Sequence, residues 1–204
     1  GRRVLRRPLT DAEIENFAGL GSFAVEANSF DVGVTLVIRA LLQEPEFLYR
    51  IELGAPIAGK PGVARLGPYE MATRLSFFLW GSIPDNQLLT LAGQKLLSSR
   101  RTLDAQVKRM LADPKASSLV TNFAMKWLGL DGLDGIRPDQ QIFAGFNDQL
   151  RRDLVTEAET FIHSVLLENR PIVELLTSDR TYLNDRVARH YGLTGVNGTQ
   201  FRWV

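Results

Sequence analysis

Residues 147–168 read NDQLRRDLVTEAETFIHSVLLE, and their spacing decides the fold class. Leu150, Leu154, Val155, Ala158, Phe161, Ile162, Val165 and Leu166 recur at alternating steps of three and four. That is the period of one face of an α-helix, not the period of two that marks a strand. Asn147 precedes the run, and a short amide side chain there can accept from a free backbone N–H of the first turn. The spacing predicts a helix over about 148–168, the longest in the chain.

Working outward, the same period returns almost everywhere. Thr10-Asp11-Ala12-Glu13 is a capping box and opens a helix carrying Ile14 and Phe17 on one side. Ser29 caps a second helix, whose stripe is Phe30, Val34, Val37, Ile38, Leu41 and Leu42. Pro45 interrupts it. Pro68 suits the first position of another helix over about 69–80, apolar on most of its circumference, where Glu70 and Arg74 are spaced to pair. Gly81 to Asp85 reads as a stop and a new start before Leu88, Leu89 and Leu91. Helices are expected over 102–112 and 115–128, a short one after Pro171, and a last one capped by Asn184 and stopped by Gly192. Residues 129–145, rich in Gly and Asp, read as irregular. Residues 53–67 hold four Gly and two Pro and read as a linker.

Composition limits the function classes. Of 204 residues, 45% are hydrophobic and 23% charged, which suits a folded chain and excludes disorder or a fibrous repeat. Lys and Arg number 24 against 23 acids, so a net charge of +1 offers no global attraction for nucleic acid or an anionic membrane. Cysteine is absent, which removes disulfides, thiolate metal sites and covalently attached haem c from this chain. No apolar run approaches the roughly 18 residues of a membrane span. Gly1 begins a segment with four arginines (2, 3, 6 and 7), and residues 195–204 end on an aromatic pair, Phe201 and Trp203. Both ends read as continuing into longer polypeptide.

Candidates for chemistry are few. His163 falls roughly 140° from the centre of the apolar face of its helix and points outward, one turn after Glu159. His190 follows Arg189 at a helix end, where a cation meets the negative pole of the helix dipole. Asp131, Asp134 and Asp139 lack the alternating order of a calcium loop. His-Glu-x-x-His, Gly-x-Ser-x-Gly and the phosphate-binding Walker loop are all missing.

Several blocks resemble a known group of proteins. These are 42–52 (LQEPEFLYRIE), 70–80 (EMATRLSFFLW), 83–85 (IPD), 106–114 (QVKRMLADP), Asn122-Phe123 with Trp127-Leu128, and Tyr182-Leu183-Asn184 through Tyr191-Gly192. They resemble exported multi-domain proteins of planctomycetes and myxobacteria, of unknown function and often carrying a cytochrome-c-like domain. The resemblance implies a periplasmic or extracellular location and an association with electron transfer. It implies no catalytic residues.

The expectation is therefore an all-α fold, an irregular bundle of about eight helices. Residues 1–55 would form a short helical domain, 56–67 a linker, 68–193 the main helical domain, and 194–204 the start of a following one. The expected function is a helical scaffold and interaction module without a self-contained active site. Its partners would be other protein domains or subunits, met through apolar surfaces and both chain ends. The alternative is part of a haem-linked oxidoreductase whose site other domains complete, with His190, Arg189 and Asp85 lining a cleft. No cofactor or metal is assigned to this chain, and haem would sit in a partner or another domain.

Overall fold

The computed structural model describes every residue except Gln140, and only the backbone of Asp134. The chain is 57% helical and 4% strand. The helices in order are α1 (Asp11–Gly19), α2 (Gly21–Glu26), α3 (Phe30–Gln43), α4 (Pro45–Leu48), α5 (Pro68–Trp80), α6 (Asn86–Gly93), α7 (Arg100–Leu111), α8 (Met125–Trp127), α9 (Asp148–Leu167), α10 (Glu174–Thr177) and α11 (Asp185–His190). Eight of these (α1, α2, α3, α5, α6, α7, α9 and α11) are six residues or longer, and the other three are single turns. The strands are β1 (Ala55–Pro56), β2 (Ala64–Arg65), β3 (Tyr182–Leu183) and β4 (Arg202–Trp203).

The chain divides into two compact units, Gly1–Arg109 and Met110–Val204. In the first, the capping box at α1 forms as expected. Thr10 Oγ1 accepts from the Glu13 amide at 3.3 Å, and Glu13 Oε2 accepts from the Thr10 amide at 2.7 Å. Residues 54–65 form a short hairpin, with Ala55 opposite Arg65 and Pro56 opposite Ala64. Gly54 makes it possible. Its φ is +61°, and a Cβ there would lie 2.8 Å from the Arg65 carbonyl oxygen. Helix α5 does begin on Pro68, but its buried residues are Ala72, Thr73, Ser76, Leu79 and Trp80. Phe78, part of that mostly apolar circumference, is exposed.

The expected Glu70–Arg74 pair is also replaced. Arg74 pairs with Glu52. The Glu70 carboxylate instead accepts from three backbone amides, Leu53 (2.8 Å), Gly54 (3.0 Å) and Gly67 (2.5 Å). Neutral amides already fixed by the hairpin hold the carboxylate without the side-chain entropy of ordering an arginine.

In the second unit, α9 is the central element. Asn147 Oδ1 accepts from the Leu150 amide at 2.9 Å, as its cap position predicts. One core cluster joins Ile162 of α9 to Val120, Ala124 and Met125. Another joins Leu150 of α9 to Leu183, Val187 and Ala188. The helix expected over 115–128 is widened to a π-helix over Leu119–Ala124, a form that sequence periodicity does not distinguish from α. The aromatic end of the chain packs against the surface of this unit. Trp203 stacks on Phe161 with ring centroids 6.2 Å apart, and Phe201 packs on the Leu150–Val187 cluster.

Candidate functional site: an apolar groove on the first unit

Helices α2 and α3 approach closely because two small residues face each other. A Cβ at Gly33 would lie 2.7 Å from that of Ala24. Beside this contact, Phe17, Ala24, Phe30, Val34, Val37 and Ile38 line an open groove of about 410 Å³. The stripe on α3 has the pattern of a core-facing helix, yet only Gly33 and Leu41 of that helix are buried. Phe30 is 80% exposed and Ile38 51%. Folded chains seldom leave contiguous large apolar side chains in water, which makes this stripe the candidate site.

The stretch that forms the groove is acidic on balance. Between Thr10 and Glu44 there are six carboxylates (Asp11, Glu13, Glu15, Glu26, Asp31 and Glu44) and one cation, Arg39. Glu15, Glu26 and Asp31 fall within two positions of Phe17, Ala24 and Phe30, which line the groove.

The arginine-rich start is engaged within its own unit. Buried Arg6 donates to the backbone carbonyls of Glu46 and Tyr49, the latter at 3.1 Å, and so caps the end of α4. Arg7 bridges Glu13 and Glu46, both at 2.7 Å. The hydrogen bond from Arg7 pulls the Glu13 carboxyl down to about 2. Two of the four arginines are therefore occupied by carbonyls and carboxylates rather than presented to phosphate.

The residues suggested by sequence are distributed as follows. Asp85 caps α6, accepting from the Leu88 amide at 2.8 Å, and pairs with Arg109 at 2.8 Å. Arg109 in turn lies over the Trp80 ring, 5.4 Å from its centroid. Arg189 and His190 sit together on α11 in the second unit, both exposed. Arg189 pairs with Asp185 at 3.4 Å, and the His190 ring is 5.7 Å from that of Tyr191. His163 is exposed beside a cleft of about 240 Å³ that also includes Ser117, Val120, Thr121 and Glu159. Of the acidic loop, the Asp134 side chain lies outside the described residues. Among those described, no three His, Asp or Glu side chains converge as a metal site.

Two family patterns match. The one described as a protein of unknown function (DUF1595), PSD5, covers residues 1–52. The one described as a protein of unknown function (DUF1592), PSD4, covers residues 66–193. The chain belongs to the PSD4 family. No curated protein and no solved structure matches it. The groove lies within the PSD5 match, and the PSD4 match spans α5 to α11.

The PSD4 region holds polar clusters that sequence reasoning did not find. Asp153 of α9 is 6% exposed. It accepts from Gln149 at 3.0 Å, Asn184 at 2.9 Å and Arg186 at 2.5 Å. Burial alone would raise its pKa, but these bonds outweigh burial and hold the carboxyl below its ordinary value. Nearby, Glu157 accepts from Thr181 at 3.0 Å and from the Tyr191 hydroxyl at 2.8 Å. Burial, then Glu157, pushes the Tyr191 phenol up. Glu157, Thr181 and Tyr191 edge a cleft of about 450 Å³. These carboxylates already have donors, which suits a positioning role better than proton transfer. The only sequence signal for the Asp153 cluster was the Gln149-x-x-x-Asp153 spacing.

Proposed function

We propose that this chain is a helical interaction module of an exported multi-domain protein or complex, docking other polypeptide through the groove on α1–α3. The observation that carries the reading is the uncovered stripe Phe30, Val34, Ile38 and Leu42 on a helix patterned for a core. The resemblance to exported multi-domain proteins supports the location and context.

Magnitudes favour a tethered module over a free binder. Covering four partly exposed side chains returns on the order of 5 kcal/mol. Association from free solution costs about 4–15 kcal/mol in lost translation and rotation. The groove alone would bind weakly, whereas linkage in one polypeptide or complex raises the effective concentration and makes the same contact useful.

Amide exchange tests the reading. The isolated chain is compared with the assembly recovered from its source. The amides of α3 are expected to exchange at least about tenfold more slowly in the assembly, reflecting about 1.4 kcal/mol of added protection. Identical exchange over 11–43 in the two samples would refute the docking role.

A further inference from the structure

We propose that the occupant of the groove is a basic amphipathic helix of a partner polypeptide, an assignment that rests on the docking reading above. Three features of the site select it.

The first is backbone. No strand lies between Gly1 and Gly54 among the described residues, so the groove has no sheet edge on which an extended peptide could add itself. The second is spacing. Phe30, Val34 and Ile38 follow one another at four-residue intervals. At 1.5 Å per residue the row runs about 12 Å along α3. A facing helix with apolar anchors at i, i+3 or i+4, and i+7 matches that length with two turns. The third is charge. Six carboxylates and only Arg39 stand between Thr10 and Glu44, although the whole chain carries +1. Arg7 offsets Glu13, and the remaining acids still outnumber Arg39 on this stretch. Lys or Arg on the incoming helix would be drawn to this acidic stretch, while anionic lipid and nucleic acid would be repelled.

The test uses the full chain and two labelled model peptides of about 18 residues. Both carry the same leucine face, and their polar faces carry only Lys or only Glu. Fluorescence anisotropy at about 50 mM salt is expected to show at least about tenfold tighter binding of the Lys peptide, with the preference shrinking at about 300 mM as charge is screened. The decisive variant is Ile38→Asp. It destroys the apolar row while adding negative charge, so a contact that is merely electrostatic tightens, whereas a groove-bound helix weakens by about tenfold or more. Phe30→Asp provides a second such variant. Both sites are exposed, and far-ultraviolet circular dichroism confirms that helix content is retained.

Equal affinity for the two peptides overturns the basic-helix assignment, as does undiminished Lys-peptide binding to both variants. So does tighter binding of the chain to phosphatidylglycerol vesicles than to the Lys peptide. Any of these results alongside exchange protection of α3 in the native assembly leaves the docking role standing and removes only the occupant. Unchanged exchange removes both.

Discussion

Replacing Asp153 with alanine tests whether the PSD4 region is fastened by a charge, not by apolar packing alone. The carboxylate links α9 to α11 through Asn184 and Arg186. Asn184 itself caps α11, its Oδ1 accepting from the amides of Arg186 (3.1 Å) and Val187 (2.9 Å). Removing Asp153 leaves the buried Asn184 amide without its acceptor, which costs about 1–3 kcal/mol. The Arg186 side chain is 34% exposed, so water replaces much of its lost partner, and that pair adds at most about 1 kcal/mol. The expected loss is about 1–4 kcal/mol in urea denaturation at pH 7, followed by tryptophan fluorescence.

The acid limb gives the same experiment a sign. The folded carboxyl lies below its ordinary value, so the unfolded chain binds the proton more readily. Its stabilisation is complete above the unfolded value of about 3.9 and disappears as pH falls through the lower folded one. The gap between wild type and Asp153→Ala should therefore shrink below about pH 4. A gap under about 0.5 kcal/mol at pH 7, or one that widens in acid, would refute the fastening.

Four further outcomes follow from the geometry. Gly54→Ala forces a side chain into a left-handed backbone against the Arg65 carbonyl, and should cost at least about 1–2 kcal/mol in thermal denaturation. Trp203→Ala removes the rings of Phe161 and Tyr182 from their partner, together with the Arg170 guanidinium 4.5 Å above its ring. It should cost about 2 kcal/mol and flatten the near-ultraviolet dichroism. Arg7→Ala should raise the Glu13 carboxyl from about 2 only part of the way to its ordinary value, because the Thr10 amide still holds it down, read directly by NMR titration. Burial works to raise the Glu70 pKa, but the amides of Gly54, Gly67 and Leu53 outweigh it. Glu70→Gln should therefore lower the exchange protection factors of the Leu53 and Gly54 amides, and acidification of the wild type below about pH 4 should do the same once the slower intrinsic exchange in acid is divided out.

What could be read in advance was whatever depends on local order. The caps at Thr10, Asn147 and Asn184, the proline start of α5 and the long period of α9 each depend on neighbours within a turn. The helical class followed from them. Long-range choices were hidden. Glu70 had Arg74 one turn away, but three amides of a hairpin seventeen residues back and beside it proved better partners. Thr73, Ser76 and Asp153 are polar and yet buried, because elements distant in sequence close over them. The stripe on α3 was correctly periodic, but periodicity says which face is apolar and not whether anything covers it. The groove therefore emerged only from the structure. His163 was placed correctly as outward, because that judgement needs only the helix itself.

The β3–β4 ladder bears on where this protein can be cut. The PSD4 match stops at residue 193, whereas the strand that completes Tyr182–Leu183 is Arg202–Trp203, locked by mutual bonds between Thr181 and Val204. A recombinant fragment trimmed at the family boundary would keep α11 but lose its clasp. It would leave an open backbone edge that invites self-association. The smallest sensible expression unit therefore runs about ten residues beyond the recognised border.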